Sequence, residues 1–414
     1  MATLQNFSAM LNQYIPNSLL REALIKRDYF LSNCKKDNNW LGGTLIVPFE
    51  GARPSTVKIG GLPSVANIRQ GVYVRGEITS QPEAWGSLKF FEKDLIQHGK
   101  VNEQSLVKLL PGEIDSLMGY FKNSLSLQFT NGASFMALNV DGTSGGVAGV
   151  LRIERAELGA NVVIKDNNSN ALQGWIGAIN VNTNLITLYS DAALTTVLDI
   201  SAFTVAQAAK IFFDGSESAS NQFTSLKASL LSAANGGSTN LYGQAKTAYP
   251  YLQSINVNGA SWTSTNILEK SLDAMIAVRN KGKGMADKIV CSYTVFGYIL
   301  AQLQAEKGAF RQASDMKANQ YGWTEVNIIG PKGQATFVAI QEMDDTEMFI
   351  LDMDAITIYS NGFIRKRVGP DGLMFYTIRQ TDGYQYIVDI CFYGDLVLER
   401  PSRCGIVYGL PFPA

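Results

Sequence analysis

Hydrophobic residues recur along this chain with two different periods, and the switches between them divide it into segments. Over residues 16–32, Leu19, Leu20, Ala23, Leu24 and Phe30 fall near helical spacing with Pro16 suited to a first turn. A short helix inside an N-terminal arm, residues 1–42, is therefore expected. From Thr44 to Phe49 and from Gly71 to Thr79 the period drops to two: Val72, Val74 and Ile78 alternate with Tyr73, Arg75 and Glu77. Trp85 to Leu95 continues this extended pattern. The stretch EGARPSTVKIGGLPS between the strands is broken by Gly and Pro, so residues 43–99 read as an extended hairpin rather than a packed lobe. The strongest helical stripe follows, with Ile114, Leu117, Met118, Phe121, Leu125 and Phe129 at steps of three or four. Pro111 is expected at its start and Gly132 just past its end.

After Asp141 the character changes to Gly, Asn and Thr turns between short strands at Val147–Ile153, Asn161–Lys165, Gly174–Asn180, Leu185–Tyr189 and Lys210–Phe213. This reads as a small inserted β-domain over residues 141–215. Residues 216–245 return to helix and loop, with a flexible AANGGSTN tract at 233–240. A second strong helix is expected from Ile267 to Arg279, with Asn266 and Glu269 as a capping box and Leu268, Leu272, Met275 and Ile276 inward. Lys288–Cys291 reads as a strand, and Ser292 or Thr294 as the cap of the amphipathic run VFGYILAQLQ, with Phe296, Ile299, Leu300 and Leu303 inward. From Ala335 onward strands dominate: MFILD, AITIY and LMFYTI, then a hairpin whose Asp382-Gly383 favours a tight turn and beyond which Tyr386, Val388, Ile390 and Phe392 alternate. No internal repeat of fixed period emerges.

Composition sharpens this picture. A chain of 414 residues exceeds what one hydrophobic core organises, so two or three packed units are expected. Charged residues make up 17%, against roughly 25% in an average soluble domain. With 38 Gly, 17 Tyr and 20 Phe, the chain suits a surface given over to neighbouring subunits. Lys plus Arg is 35 and Asp plus Glu is 36, a net charge of -1, so the whole chain has no global attraction for phosphate or anionic membranes. Cys34, Cys291, Cys391 and Cys404 lack CxxC spacing and read as reduced, buried thiols. No apolar run approaches the roughly 18 residues of a spanning helix, and the first residues lack signal-peptide features. Cytoplasmic synthesis and no membrane partner are expected.

Candidate chemistry is sparse. His98 is the only histidine, which removes multi-His metal sites and leaves any Ser/His or Cys/His nucleophile to one residue. DGTSGG at 141–146 lacks both the P-loop lysine and GxGxxG spacing, and reads as a domain-entry turn. Asp344, Asp345, Glu347, Asp352 and Asp354 form an acidic cluster able to hold a hard cation, although alternation with strand residues favours a solvated sheet face. Glu83 with Glu92, or Glu113 with Asp115, would serve glycoside hydrolysis only at the right separation, and acids at a helix start are explained by its N-terminal field. Arg365, Lys366 and Arg367 follow an Asn361-Gly362 turn and suit packaged DNA or a neighbour's carboxylates, a solvated hairpin tip being the plainer alternative. Arg53, Lys58, Arg69 and Arg75 are spread over a hairpin too poor in apolar residues to pack alone. No catalytic residue, cofactor or metal is expected.

The order of arm, Gly/Pro-tipped hairpin, long amphipathic helix, α/β unit and closing antiparallel strands resembles the α+β Hong Kong 97 type capsid fold of tailed double-stranded DNA bacteriophages. The segment LEKSLDAMIAVRNKGKGMADKIVCSYTVFGYIL is similar to that family's axial helix, strand and helix, and FYGDLVLERPSRCGIVYGLP to its last strand and turn. The resemblance implies an extended loop at 43–99, a peripheral domain at 100–140 with its spine helix at 104–130, an inserted β-domain at 141–215, more peripheral domain at 216–262, an axial domain at 263–345 and a closing sheet at 346–414. It implies a major capsid protein forming pentamers and hexamers of an icosahedral shell, assembled in a host bacterial cytoplasm through a procapsid that matures. Arg53, Lys58, Arg69, Arg75 and Trp85 would then touch neighbouring subunits. The implied partners are copies of itself, a portal protein, a decoration protein and packaged double-stranded DNA bound without sequence specificity. A short segment before the extended loop leads us to expect a separate scaffolding protein; Lys58 resembles the cross-linking lysine of some relatives, but its acceptor asparagine has no match here, so no covalent cross-link is expected. The alternatives are an encapsulin-like nanocompartment shell and, from a different class, a carboxylate-dependent hydrolase.

Overall fold

The computed structural model describes residues 29–40, 43–52, 59, 72–91, 103–132, 134–218, 221–282, 285–305, 325–330, 333–366, 376–380 and 383–412. Most of the expected arm helix, the Asp382 half of the Asp382-Gly383 turn and His98 lie outside them. The chain forms two compact units, one built from residues 1–43, 80–126 and 358–395, the other from 44–79, 127–357 and 396–414. The α+β class holds, and hairpin, long helix, inserted β-domain and α/β unit follow in the expected order.

In the first unit, strands Ile356–Lys366, Tyr376–Gln380 and Gly383–Leu398 form an antiparallel sheet that Lys35–Asp37 and Glu83–Phe91 complete. The strand expected to prolong the hairpin therefore joins a different sheet, Trp85 lying opposite Cys391. Helix Glu103–Thr130 packs on it at Gly86, where an added Cβ would sit 3.3 Å from both Leu117 and Phe121, so the missing side chain permits the approach. This helix starts eight residues before Pro111 and runs through it, contrary to the reading of Pro111 as its start and within one residue of the 104–130 that the resemblance implies. One interior proline costs about 3 kcal/mol; long helices are held by packing of their apolar face, here Met118, Phe121 and Leu125, rather than by propensity.

In the second unit, six strands close a barrel in the order Lys210–Phe213, Ser134–Val140, Val147–Val150, Leu185–Tyr189, Ala171–Asn180 and Asn161–Lys165. Its interior is aliphatic: Val150, Val162, Ile164, Ile176, Ile186, Leu188 and Ile211 are fully buried. The inserted domain thus begins at Ser134 rather than 141, because Ser134–Val140 is needed to remove the open edge between its neighbours. DGTSGG is a loop of this barrel, with Gly142 so close to Ile200 that a Cβ would sit 2.2 Å from its carbonyl oxygen. The AANGGSTN tract, expected to be flexible, is folded down by bonds from Gly237 N–H to Ser232 O and from Ser238 N–H to Ala228 O.

The remaining core is a mixed six-stranded sheet in the order Ile255–Asn258, Gly405–Tyr408, Glu347–Leu351, Lys288–Cys291, Gly333–Ala339 and Glu325–Gly330. Glu347–Leu351 and Gly405–Tyr408 belong here, although the sequence placed them in a closing sheet at 346–414. Glu347–Leu351 is buried at every position, which its unbroken apolar run MFIL permits only for a central strand. Helices Ile267–Gly282 and Tyr293–Ala305 cover the sheet through Met275, Val278, Phe296 and Ile299. Ser292 caps the second, accepting from Val295 N–H at 3.3 Å. The expected capping box on the first does not form: Asn266 Oδ1 turns back to accept from Thr263 N–H at 2.8 Å. Gln302 of the second helix instead accepts from Leu268 N–H at 3.0 Å, closing a first-turn donor from outside. Gln302→Leu should therefore lower unfolding stability by about 1 kcal/mol, measured by urea denaturation, while Glu269→Ala should change it by less.

Candidate functional site

The element most unlike an ordinary globular part is the hairpin of Leu45–Ala52 and Val72–Ile78, a two-stranded sheet of its own. Its period of two sorts the side chains cleanly. Val47, Phe49, Val74 and Gly76 face inward, whereas Ile46, Pro48, Tyr73, Arg75 and Glu77 face solvent. Tyr73 is 76% and Ile46 50% exposed, so the outer face carries apolar groups that nothing among the described residues covers. Arg75 pairs with Glu77 of its own strand at 2.8 Å, leaving the apolar residues as the larger unspent surface.

What holds the inner face is a turn that the sequence reading missed. Asn240–Leu241 and Gln244–Ala245 pair across Tyr242 and Gly243, both with positive φ (48° and 78°), the geometry of a two-residue primed turn. This turn presents Tyr242 to the hairpin. Its ring stacks on Phe49 at 5.5 Å and 5°, its carbonyl accepts from Glu77 N–H at 2.9 Å, and its hydroxyl accepts from Leu398 N–H at 2.8 Å. Gly76 makes room for the stack, since a Cβ there would come within 2.3 Å of the Phe49 ring. Just beyond the turn, Lys246 lies buried and donates to Ala228 O at 2.8 Å and Leu231 O at 2.9 Å, satisfying carbonyls near the end of the short helix Leu226–Leu230. Burial pulls its ammonium down to about 8.

Four of the five carboxylates of the acidic cluster pair with cations of this chain, and only Asp354 of the five is exposed as on a solvated face. Asp345, Glu347 and Asp352 are buried, and cations meet them. Arg152 binds Asp345 at 3.0 Å and also pairs with Glu154; Arg155 binds Asp344 at 2.8 Å; Lys227 bridges Asp344 at 3.2 Å and Glu347 at 2.7 Å; Arg403 lies 3.6 Å from Asp352. Among the described residues no group of acids, His and Cys suits a metal ion. Arg152 adopts φ 65°, ψ 51°, a left-handed conformation costing about 1 kcal/mol in a non-glycine residue, which the surrounding bonds must outweigh. Burial opposes ionisation of Asp344, but Arg155 and Lys227 outweigh it and hold the carboxyl below its usual range. Burial pushes Glu347 up, with Lys227 only partly offsetting it. The pairing was invisible in sequence because Arg152 and Asp345 are far apart along the chain, with nothing local to mark them as partners.

Of the residues singled out for contacts, Arg75 and Trp85 are described and sit in different units. Trp85, 41% exposed, packs edge-on against Tyr393 at 5.5 Å. Arg365 and Lys366 end the strand Ile356–Lys366. Arg53, Lys58, Arg69 and Arg367 lie outside the described residues.

No family model matches the sequence, and no curated protein matches it. Solved structures do. A chain of the cyanophage A-1(L) capsid asymmetric unit is 12% identical, with 92% of each chain covered and a TM-score of 0.47. A chain of the native GTA particle capsid is 9% identical over 94% of this chain and 90% of its own, also at 0.47. A chain of the satellite phage P4 procapsid, whose assembly includes the size determination protein, is 11% identical over 99% and 98%, at 0.37.

Gly76→Val should displace Phe49 from Tyr242 and speed amide exchange at Glu77, read by hydrogen–deuterium exchange, while exchange in the barrel strands stays unchanged. Asp344→Asn should cost about 3 kcal/mol at pH 7 in urea denaturation, because it strips Arg155 and Lys227 of a buried partner. The pH dependence separates the two acids. Asp344, with its folded value depressed, contributes above its unfolded value and loses that contribution as pH falls through the folded one. Glu347 runs the other way: its folded value is raised, so the wild type should gain stability over Glu347→Gln as the pH falls through that value.

Proposed function

We propose that this chain is a major capsid protein of the Hong Kong 97 type, a structural subunit rather than an enzyme. Many copies assemble as pentamers and hexamers into an icosahedral shell around phage double-stranded DNA. The observation that carries this reading is the hairpin: a ribbon anchored on one face by Phe49 and Tyr242, with Ile46, Pro48 and Tyr73 turned outward. Such a surface gains free energy only when a neighbour covers it. The low charged fraction, 17%, supports the same reading.

In this account the hairpin, with Arg53, Lys58, Arg69 and Arg75, laces over an adjacent subunit, and Trp85 adds a second contact. Arg365, Lys366 and Arg367 face packaged DNA or a neighbour's carboxylates. The long helix and antiparallel sheet form the rigid body, the mixed sheet and its helices meet their copies around each ring centre, and the barrel strengthens the shell. Assembly takes place in the host bacterial cytoplasm with a separate scaffolding protein, a portal protein and a decoration protein as partners. Individual contacts need only be weak, because a closed shell holds each subunit at several points at once. Expansion of the procapsid proceeds by rotation of subunits with repacking of the hairpin.

Negative-stain electron microscopy with size-exclusion light scattering, on the chain alone and coexpressed with candidate scaffolding proteins, tests the reading. Closed shells or rings are expected for the wild type. Ile46→Asp with Tyr73→Asp should leave a folded chain that forms no shells. A strictly monomeric or dimeric wild type under every condition, or unimpaired shells from the double variant, would overturn it.

A further inference from the structure

The barrel has a complete core of its own. Its seven fully buried aliphatic residues come from its own strands, and the core cluster between the mixed α/β sheet and its two helices, as far as the described residues go, draws nothing from residues 134–213. Its first and last strands are hydrogen-bonded neighbours, Ala137 opposite Lys210 and Ser134 opposite Phe212, so the chain enters and leaves at one place. A module built this way needs something else to fix how it sits on the sheet.

Polar groups converge where that attachment occurs. Directly after strand Val147–Val150 the chain turns through the left-handed Arg152, which aims two arginines at the segment before strand Glu347–Leu351. Arg152 donates to Gln341 O at 3.0 Å and binds Asp345 at 3.0 Å. Arg155 donates to Phe135 O at 3.0 Å inside the barrel and, from its other nitrogen, to Glu342 O at 2.9 Å and Asp344 at 2.8 Å on the sheet side. Gln341 returns a bond to Glu154 O at 3.4 Å. Both arginine side chains are nearly buried, 11% and 8% exposed. Lys227, outside the barrel, neutralises the remaining charge on Asp344 and Glu347.

We infer that the barrel is a jointed module whose orientation on the mixed α/β sheet is set by a buried ionic clasp, Arg152 and Arg155 closing on Asp344 and Asp345. Apolar faces slide over one another at little cost, whereas guanidinium–carboxylate pairs lose their bonds steeply with displacement and angle. Once desolvated, such pairs admit one arrangement, since a slipped one strands a buried charge. The strain at Arg152 is the local cost of aiming the pair.

Double electron–electron resonance reads this directly. Nitroxides at Val181→Cys in the barrel and Met285→Cys beside the sheet use positions 67% and 81% exposed, while Cys34, Cys291, Cys391 and Cys404 are buried and stay unlabelled. Labelled chain is diluted into unlabelled chain so that only distances within one chain are seen. The otherwise wild-type chain should give a single narrow distribution. Arg152→Met with Arg155→Met should widen it at least twofold while the strands of the barrel keep their amide protection; Asp345→Asn, which preserves volume, should widen it less. An unchanged width in either folded variant would overturn the inference. So would loss of folding of barrel and sheet together in both variants, since the pairs would then belong to one common core.

Discussion

A ribbon of two strands is marginal in water by itself, and much of this molecule's design follows from that constraint. The hairpin Leu45–Ile78 exists as a defined object because one of its faces is seated on Tyr242, through a ring stack, a backbone bond to Glu77 and the small Gly76 that lets the rings approach. Tyr242 is itself fixed by a primed turn below it and by Leu398 N–H at its hydroxyl. The consequence is a ribbon with a rigid inner face and an outer face that remains apolar and exposed, the arrangement expected of a part that completes its packing on another molecule.

The same economy governs charge. With 17% of residues charged, the chain nevertheless commits three cations and four carboxylates to one region, Arg152, Arg155 and Lys227 with Glu154, Asp344, Asp345 and Glu347. Burying charges in this way is weak evidence for added stability, because hydrophobic replacements often serve as well. It is better understood as geometry. A closed barrel has no open strand edge to pair with the sheet, so directional side-chain bonds are suited to give it one placement.

How far the sequence reveals the fold depends on whether the determining interaction is local. Asn161–Lys165, Leu185–Tyr189, Lys210–Phe213 and Lys288–Cys291 were legible to the residue, because β-branched runs bounded by turn residues carry their own signal. Helix Glu103–Thr130 was legible by its stripe, and its start came from the family resemblance rather than from Pro111, which packing overrode. Asn266 carried the right residue type for a cap yet spent it on the preceding turn, and Gln302 on another helix took over. Barrel closure, the move of Glu83–Phe91 into the sheet of Gly383–Leu398, and the pairing of Arg152 with Asp345 all join distant residues, and nothing local announces them. For the candidate site, the pairing of Leu45–Ala52 with Val72–Ile78 was legible from their alternating period, whereas the apolar inner face that packs on this chain was not expected; nor was the tyrosine that anchors it, because Tyr-Gly is an uncommon filling for a turn that favours Asn-Gly.

In the proposed shell, the outer face of the hairpin is covered by another copy of the chain. Hydrogen–deuterium exchange over residues 45–52 and 72–78, compared between the unassembled chain and its largest purified assembly, measures that coverage directly. Both strands should be protected in the assembly, with little change in barrel strands Asn161–Lys165 and Leu185–Tyr189. Equal exchange of the hairpin in both states would contradict it.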